Sequence, residues 1–150
     1  MKIENPDTIK SILDEIEISH PTLKERTLGL LEGRYETPEN LNCIGMALFV
    51  LGQTDKPTYI EGDYRLLIPY LMKAKKITGR KESGDFLINH FVCVQGHLVD
   101  HTSVYLGRHN GEGLIFQKYY EKPYSIQAFQ DLIKDFSWLL DNILTIYRFA

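Results

Sequence analysis

The sequence predicts an α+β fold, with helices in the first part of the chain and a mostly antiparallel sheet after them. Three observations carry this. Apolar residues recur at helical spacing from Ile9 to Leu51, the spacing switches to strand alternation at Gly84, and turn-rich breaks separate the alternating runs at hairpin distances. At 150 residues the chain is long enough for one core. One domain over residues 1–150 is expected, with a helical part to about residue 40 and the rest built around the sheet.

The opening "NPDTIKSILDEIEI" reads as a helix. Asn5 caps it, Pro6 suits the first helical position, and Ile9, Ile12, Leu13 and Ile16 share a face. "SHPTLKERTLGLLEG" repeats the pattern and stops at Gly33. "TPENLNCIGMALFVLG" places Leu41, Ile44, Ala47, Leu48 and Leu51 at helical spacing before Gly52. In "GDYRLLIPYLMKAKKI", Pro69 limits a helix to a short one, followed by irregular chain. The basic run "KAKKITGRK" reads as solvated surface. Phe86–Val94 and Leu98–Leu106 read as strands about a Gln95-Gly96 turn; "LGRHNGEG" is a second turn and "LIFQKYY" a third strand. "SIQAFQDLIKDF" reads as a helix capped by Ser125, and "NILTIYRF" as a closing strand.

Composition narrows the function. A net charge of −3 offers no basic field for nucleic acid. No apolar run approaches a membrane span. The N-terminus is charged, with no apolar stretch behind it, and two cysteines make no disulfide framework. A cytoplasmic, reducing compartment is therefore expected, a mature secreted form being compatible as well. No C-x-x-C or closely paired histidines propose a metal, and no glycine-rich phosphate loop proposes a nucleotide. No cofactor is expected.

What remains is thiol chemistry. Cys43 stands near the start of a predicted helix, where the dipole favours thiolate; a start at Asn40 or Asn42 puts it in the first turn, and a Thr37 cap puts it in the second. Gly45 leaves room for another backbone or a substrate. Cys93 lies between two valines in a strand and reads as structural. His20, His97 and His109 read as surface residues. His90 and His101 lie on strands, and two constellations compete. Cys43 with His90 and Asp100 uses one face of the second strand; Cys43 with His101 and Gln117 uses the other. Tyr64, Tyr70, Tyr119, Tyr120 and Tyr124 read as packing or as the lining of a groove.

"NCIG", "GDFLI", "HTSVYLG" and "LIFQK", in that order between about residues 40 and 119, resemble the NlpC family of papain-like cysteine peptidases. The matching positions are Cys43 and Gly45, Gly84 and Asp85, His101, Tyr105 and Gly107, then Gln117. The family usually has aspartate before the cysteine and serine after it, where this chain has Asn42 and Ile44; its third residue is most often histidine. The resemblance implies a papain-like fold, with Cys43 as nucleophile, His101 as base and then acid, and Gln117 as orienting residue. The Cys43 N–H would form an oxyanion hole with Tyr35 as the candidate second donor. It also implies a peptide or small amide as substrate. Two alternatives stay open: a transglutaminase-like or leader-peptidase-like enzyme using Cys43, His90 and Asp100, and a non-catalytic binding module on the same scaffold.

Overall fold

The computed structural model describes residues 2–93, 96–136 and 142–150. Helices α1 (Pro6–Glu15), α2 (Leu23–Leu31), α3 (Cys43–Val50) and α4 (Tyr64–Leu71) precede most of the sheet, and α5 (Phe129–Phe136) comes late. The strands are β1 (Lys2–Ile3), β2 (Ala74–Lys76), β3 (Phe86–Cys93), β4 (Gly96–His109), β5 (Glu112–Lys118), β6 (Tyr124–Ala128) and β7 (Asn142–Phe149). They form one sheet in the order β1-β6-β5-β4-β3-β7-β2, with every neighbouring pair antiparallel. The expected mixture of helix and antiparallel sheet is therefore what the chain forms.

Strand alternation sorts the core into two layers. Phe86, Ile88, Val104, Leu106, Phe116 and Ile126 face the first helices and join Ile9, Leu13, Leu23, Leu48 and Phe49 in the larger cluster. Leu87, Tyr105 and Ile115 face the other way, against Phe129 and Leu132 of α5. Local chemistry sets several boundaries as the sequence predicts. Asn5 Oδ1 accepts from the Thr8 N–H at 3.0 Å with Pro6 opening α1. Asn110 and Gly111, both at positive φ, turn β4 into β5.

Three readings are corrected. Ser125 does not cap a helix: Ser125, Ile126 and Gln127 pair with Gln117, Phe116 and Ile115 as strand β6, and α5 begins only at Phe129. The apolar spacing fits both states, and pairing on both edges decides for strand. The chain after Pro69 is not irregular, because Ala74–Lys76 pairs with β7 as an edge strand. Lys75 and Lys76 stay exposed there, as charged residues do on a sheet edge. His20 is half-buried rather than exposed, its ring lying where a Cβ on Gly84 would be 2.5 Å from Cδ2. The Gln95 half of the expected first hairpin turn lies outside the described residues.

The Gly84-Asp85 pair has a structural use. Asp85 is fully buried and accepts from Arg148 Nε at 2.8 Å, Arg148 Nη2 at 2.9 Å and the Glu82 N–H at 2.8 Å. It thereby ties the start of β3 to the end of β7. Removing it strands the Arg148 guanidinium, which is partly exposed and keeps Glu82 at 3.5 Å. Asp85→Ala is expected to cost about 2–3 kcal/mol in urea unfolding, toward the lower end for a broken buried pair. Unfolding curves for native and variant protein check it.

Candidate active site

Asn42 starts the site. It is the N-cap of α3, so Cys43 is the first helical residue, and the boundary left open by the sequence falls at the position most favourable to the thiol. Asn42 Oδ1 accepts from the Gly45 N–H at 3.0 Å and the Ile60 N–H at 3.3 Å, while its Nδ2 donates to the Ile60 carbonyl at 2.6 Å. An aspartate lacks that donor. Asparagine here both caps the helix and holds the segment around Ile60 over its start, which gives a physical reason for the departure at this position. Gly45 is required for the same packing, since a Cβ there would fall 1.8 Å from the Thr58 carbonyl oxygen. Gly45→Ala is expected to lower stability by about 2–3 kcal/mol through overpacking against backbone. It should also speed proteolysis between residues 53 and 62, read by limited digestion.

The helix meets the sheet at a gap. Asp85 O accepts from the Tyr105 N–H at 2.9 Å, on the β3 side of β4, so the neighbouring even-numbered residues direct their backbone groups toward β5. The β4–β5 pairing runs only from His109 back to Val104, opposite Phe116. Farther along the same edge, Val99 N–H donates to Gly62 O at 3.0 Å, and Asp63 bridges Leu98. Thr102 lies between these two contacts, and there its hydroxyl and backbone N–H are directed at the Cys43 sulfur. The thiol thus occupies the break between β5 and the segment that crosses α3.

His101, the next residue back along β4, is 2% exposed. Its Nε2 lies 2.9 Å from Gln117 Oε1, and its ring stacks on Tyr119 with centroids 4.0 Å apart and planes 3° from parallel. An amide oxygen only accepts, so Nε2 carries the hydrogen and Nδ1 the basic lone pair. Lys2 Nζ sits 4.1 Å from the centroid of the Tyr119 ring.

Burial governs the charges. It pulls the His101 imidazole down to about 4; the Gln117 bond opposes that shift and the Lys2 charge adds to it. It pushes the Cys43 thiol above its ordinary range, against the opposing pull of the Thr102 hydroxyl and backbone N–H and the N–H groups at the start of α3. Cys43 nevertheless keeps part of its surface open to solvent. The resting groups at neutral pH are therefore thiol and uncharged imidazole. Lys118 and Tyr119 lie within electrostatic reach of the sulfur.

The other sequence candidates lie apart from this arrangement. Tyr35 packs edge-on against Phe49, centroids 4.8 Å apart, with its ring over Gly29. That is toward the other end of α3 from Cys43, so Tyr35 is not placed to complete an oxyanion hole. His90 Nε2 is 2.9 Å from Thr145 Oγ1, and its ring lies 5.0 Å from that of Tyr64. His90 belongs to β3, across β4 from the gap. Two strand spacings of about 4.8 Å each separate that backbone from the line of the sulfur. Asp100 is the extra residue where the β3–β4 register shifts, with His101 opposite Asn89 and Val99 opposite His90, and burial raises its carboxyl. His109 accepts or donates at 2.5 Å with Glu15 Oε2, far along β4. The side chains of Cys93 and His97 lie outside the described residues. Among the described residues no cluster of histidine, cysteine and carboxylate is arranged to hold a metal, and no helix is long and apolar enough to cross a membrane.

Thr102 is the residue that sequence reasoning missed. It reads as an ordinary strand threonine, and only the end of the β4–β5 pairing gives it a role. Compared with protein-family models, with curated proteins and with solved structures, the chain shows no match.

Proposed function

We propose that this chain is a cysteine hydrolase of NlpC-like, papain-like type, which cleaves an amide bond of a peptide or small amide through Cys43, His101 and Gln117. The observation that carries the reading is the buried 2.9 Å contact of His101 Nε2 with Gln117 Oε1, beside the strand residue that meets the Cys43 sulfur. In this reading His101 Nδ1 takes the proton from Cys43 Sγ as the sulfur attacks the substrate carbonyl carbon. The oxyanion is held by the Cys43 N–H, which at the first helical position has no intrahelical acceptor. The imidazolium then protonates the leaving amine, the C–N bond breaks, and water releases the acyl group by the same steps in reverse order. Imidazolium is destabilised by burial, which makes it a ready donor to the amine. No step calls on a cofactor or a metal.

A second reading has one observation in its favour. The helix face of β4 is that of Thr102, Val104 and Leu106, and His90 is on the same side of the sheet as Ile88. Against it stands the position of the thiol in the gap, where β5 has parted from β4 and the sulfur is open to a ring from the other face.

The test is a set of activated esters of short N-acyl amino acids, with intact mass read after brief exposure at pH 7. Acyl adducts on Cys43, lost on dilution into buffer and absent in Cys43→Ala, are expected. Adducts confined to lysines, with Cys43 unmodified, would leave the scaffold as a binding module.

A further inference from the structure

The Thr102 side chain is fully buried, and its Oγ1 makes no hydrogen bond of ordinary geometry. A buried hydroxyl without a partner is costly, and a methyl group of the same shape would avoid the cost. Ile88, Val104 and Leu106 on the same face show that the position sits in an apolar layer where valine would be at home. Two donors of this one residue, the hydroxyl and the backbone N–H, are nonetheless directed at the Cys43 sulfur. The backbone donor is free to do so because β4–β5 pairing ends at Val104.

We propose that Thr102 is a catalytic residue of this site, its hydroxyl and N–H forming a two-donor cradle for the ionised sulfur of Cys43. The inference deepens the hydrolase reading and rests on it for the word catalytic. A neutral thiol is a weak acceptor, so the hydroxyl stays loosely engaged at rest. When the sulfur's proton moves to His101 Nδ1, the charge left on sulfur draws both donors in. The proton remains on the imidazole until the leaving amine takes it, and Thr102 neither gains nor loses one. The cradle does not extend to the oxyanion, which forms on the substrate. The other charged and titratable groups near the sulfur are Lys118, with Glu121 beside it, Tyr119, and beyond them Lys2 and Asp100. All are unchanged by an exchange at residue 102.

The experiment compares native protein with Thr102→Val and Thr102→Ser, reading iodoacetamide alkylation of Cys43 by mass between pH 6 and 10, alongside thermal melting. Valine removes only the hydroxyl; serine keeps it. The cradle predicts alkylation at pH 8 about three- to tenfold slower in Thr102→Val, the loss of one hydrogen bond to a charged sulfur. It predicts rates near native in Thr102→Ser. It also predicts a melting temperature for Thr102→Val equal to or above native. Superimposable alkylation profiles for native and valine proteins would overturn it, as would an equal loss in serine and valine variants. These readouts need no substrate. If Cys43 never forms an acyl adduct but Thr102→Val still slows alkylation, the hydrolase reading fails and the sulfur cradle stands. If adducts form and the valine profile is unchanged, the cradle alone fails.

Discussion

Acidification from pH 6.5 to 4 is expected to remove about 3 kcal/mol of stability through His101 alone. In the unfolded chain the imidazole titrates near 6.5; in the folded protein burial holds it down to about 4. Between those values the unfolded chain binds a proton that the native state refuses, so stability falls as pH falls across that window. Above 6.5 both states are unprotonated and the contribution is complete; below 4 both are protonated and nothing further is lost. His101→Phe keeps an aromatic ring to stack on Tyr119 and removes the titration. Urea unfolding of both proteins at half-unit steps should give curves that converge by about 3 kcal/mol over the window. Parallel curves would mean that the ring is solvated in the native state. Carboxylates also titrate in that range, and comparing the two proteins subtracts them.

The largest kinetic effect is expected at the same residue. His101→Ala should slow acylation of Cys43 by about 10²- to 10⁴-fold, the usual worth of a positioned general base. Gln117→Leu removes only the acceptor that fixes the imidazole's hydrogen on Nε2, and about tenfold is expected, one hydrogen bond's worth of barrier. Gln117→Glu places a full negative charge 2.9 Å from Nε2. It should raise the imidazole's affinity for protons, moving the low-pH limit of acylation upward, while the rate at neutral pH stays closer to native than in the leucine variant. His90→Ala should leave acylation within about twofold, since the hydrogen bond of His90 to Thr145 can be lost without moving the gap. Stopped-flow release of the ester's leaving group measures all four.

Much of this arrangement is legible in the residues. Asn5 and Pro6, the glycine stops at Gly33 and Gly52, and Asn110-Gly111 act through local backbone chemistry, and their positions follow from it. The room left by Gly45 was expected for a backbone or a substrate, and the Thr58 carbonyl fills it. The pairing of His101 with Gln117 was inferable because both fall on the same face of strands adjacent in sequence. Tertiary partners decide the rest. Ser125–Ala128 is drawn into the sheet by β5 on one side and β1 on the other, against a helical apolar pattern. Lys75 and Lys76 become strand through β7, some seventy residues away. Tyr35 precedes Cys43 by eight residues, yet the chain folds its ring back over Gly29 instead of forward to the thiol. The face of β4 that meets α3 could be posed as a question but not answered from one chain, because the register shift at Asp100 and the early end of β4–β5 pairing leave no mark in residue type.

The most direct measurement is the pH dependence of Cys43 alkylation in native, His101→Ala and His90→Ala proteins. Thiol with neutral imidazole and thiolate with imidazolium hold the same number of protons, so the reactive fraction of such a pair does not change with pH between its two titrations. The account predicts a native rate that is level from about pH 5 to 8, above the imidazole's fall to about 4 and below the raised thiol. In His101→Ala that level stretch should vanish, and the rate should drop about tenfold for each pH unit below the thiol's own titration. In His90→Ala it should persist. A level stretch that survives in His101→Ala and disappears in His90→Ala would contradict the account and move the chemistry to the other face of β4.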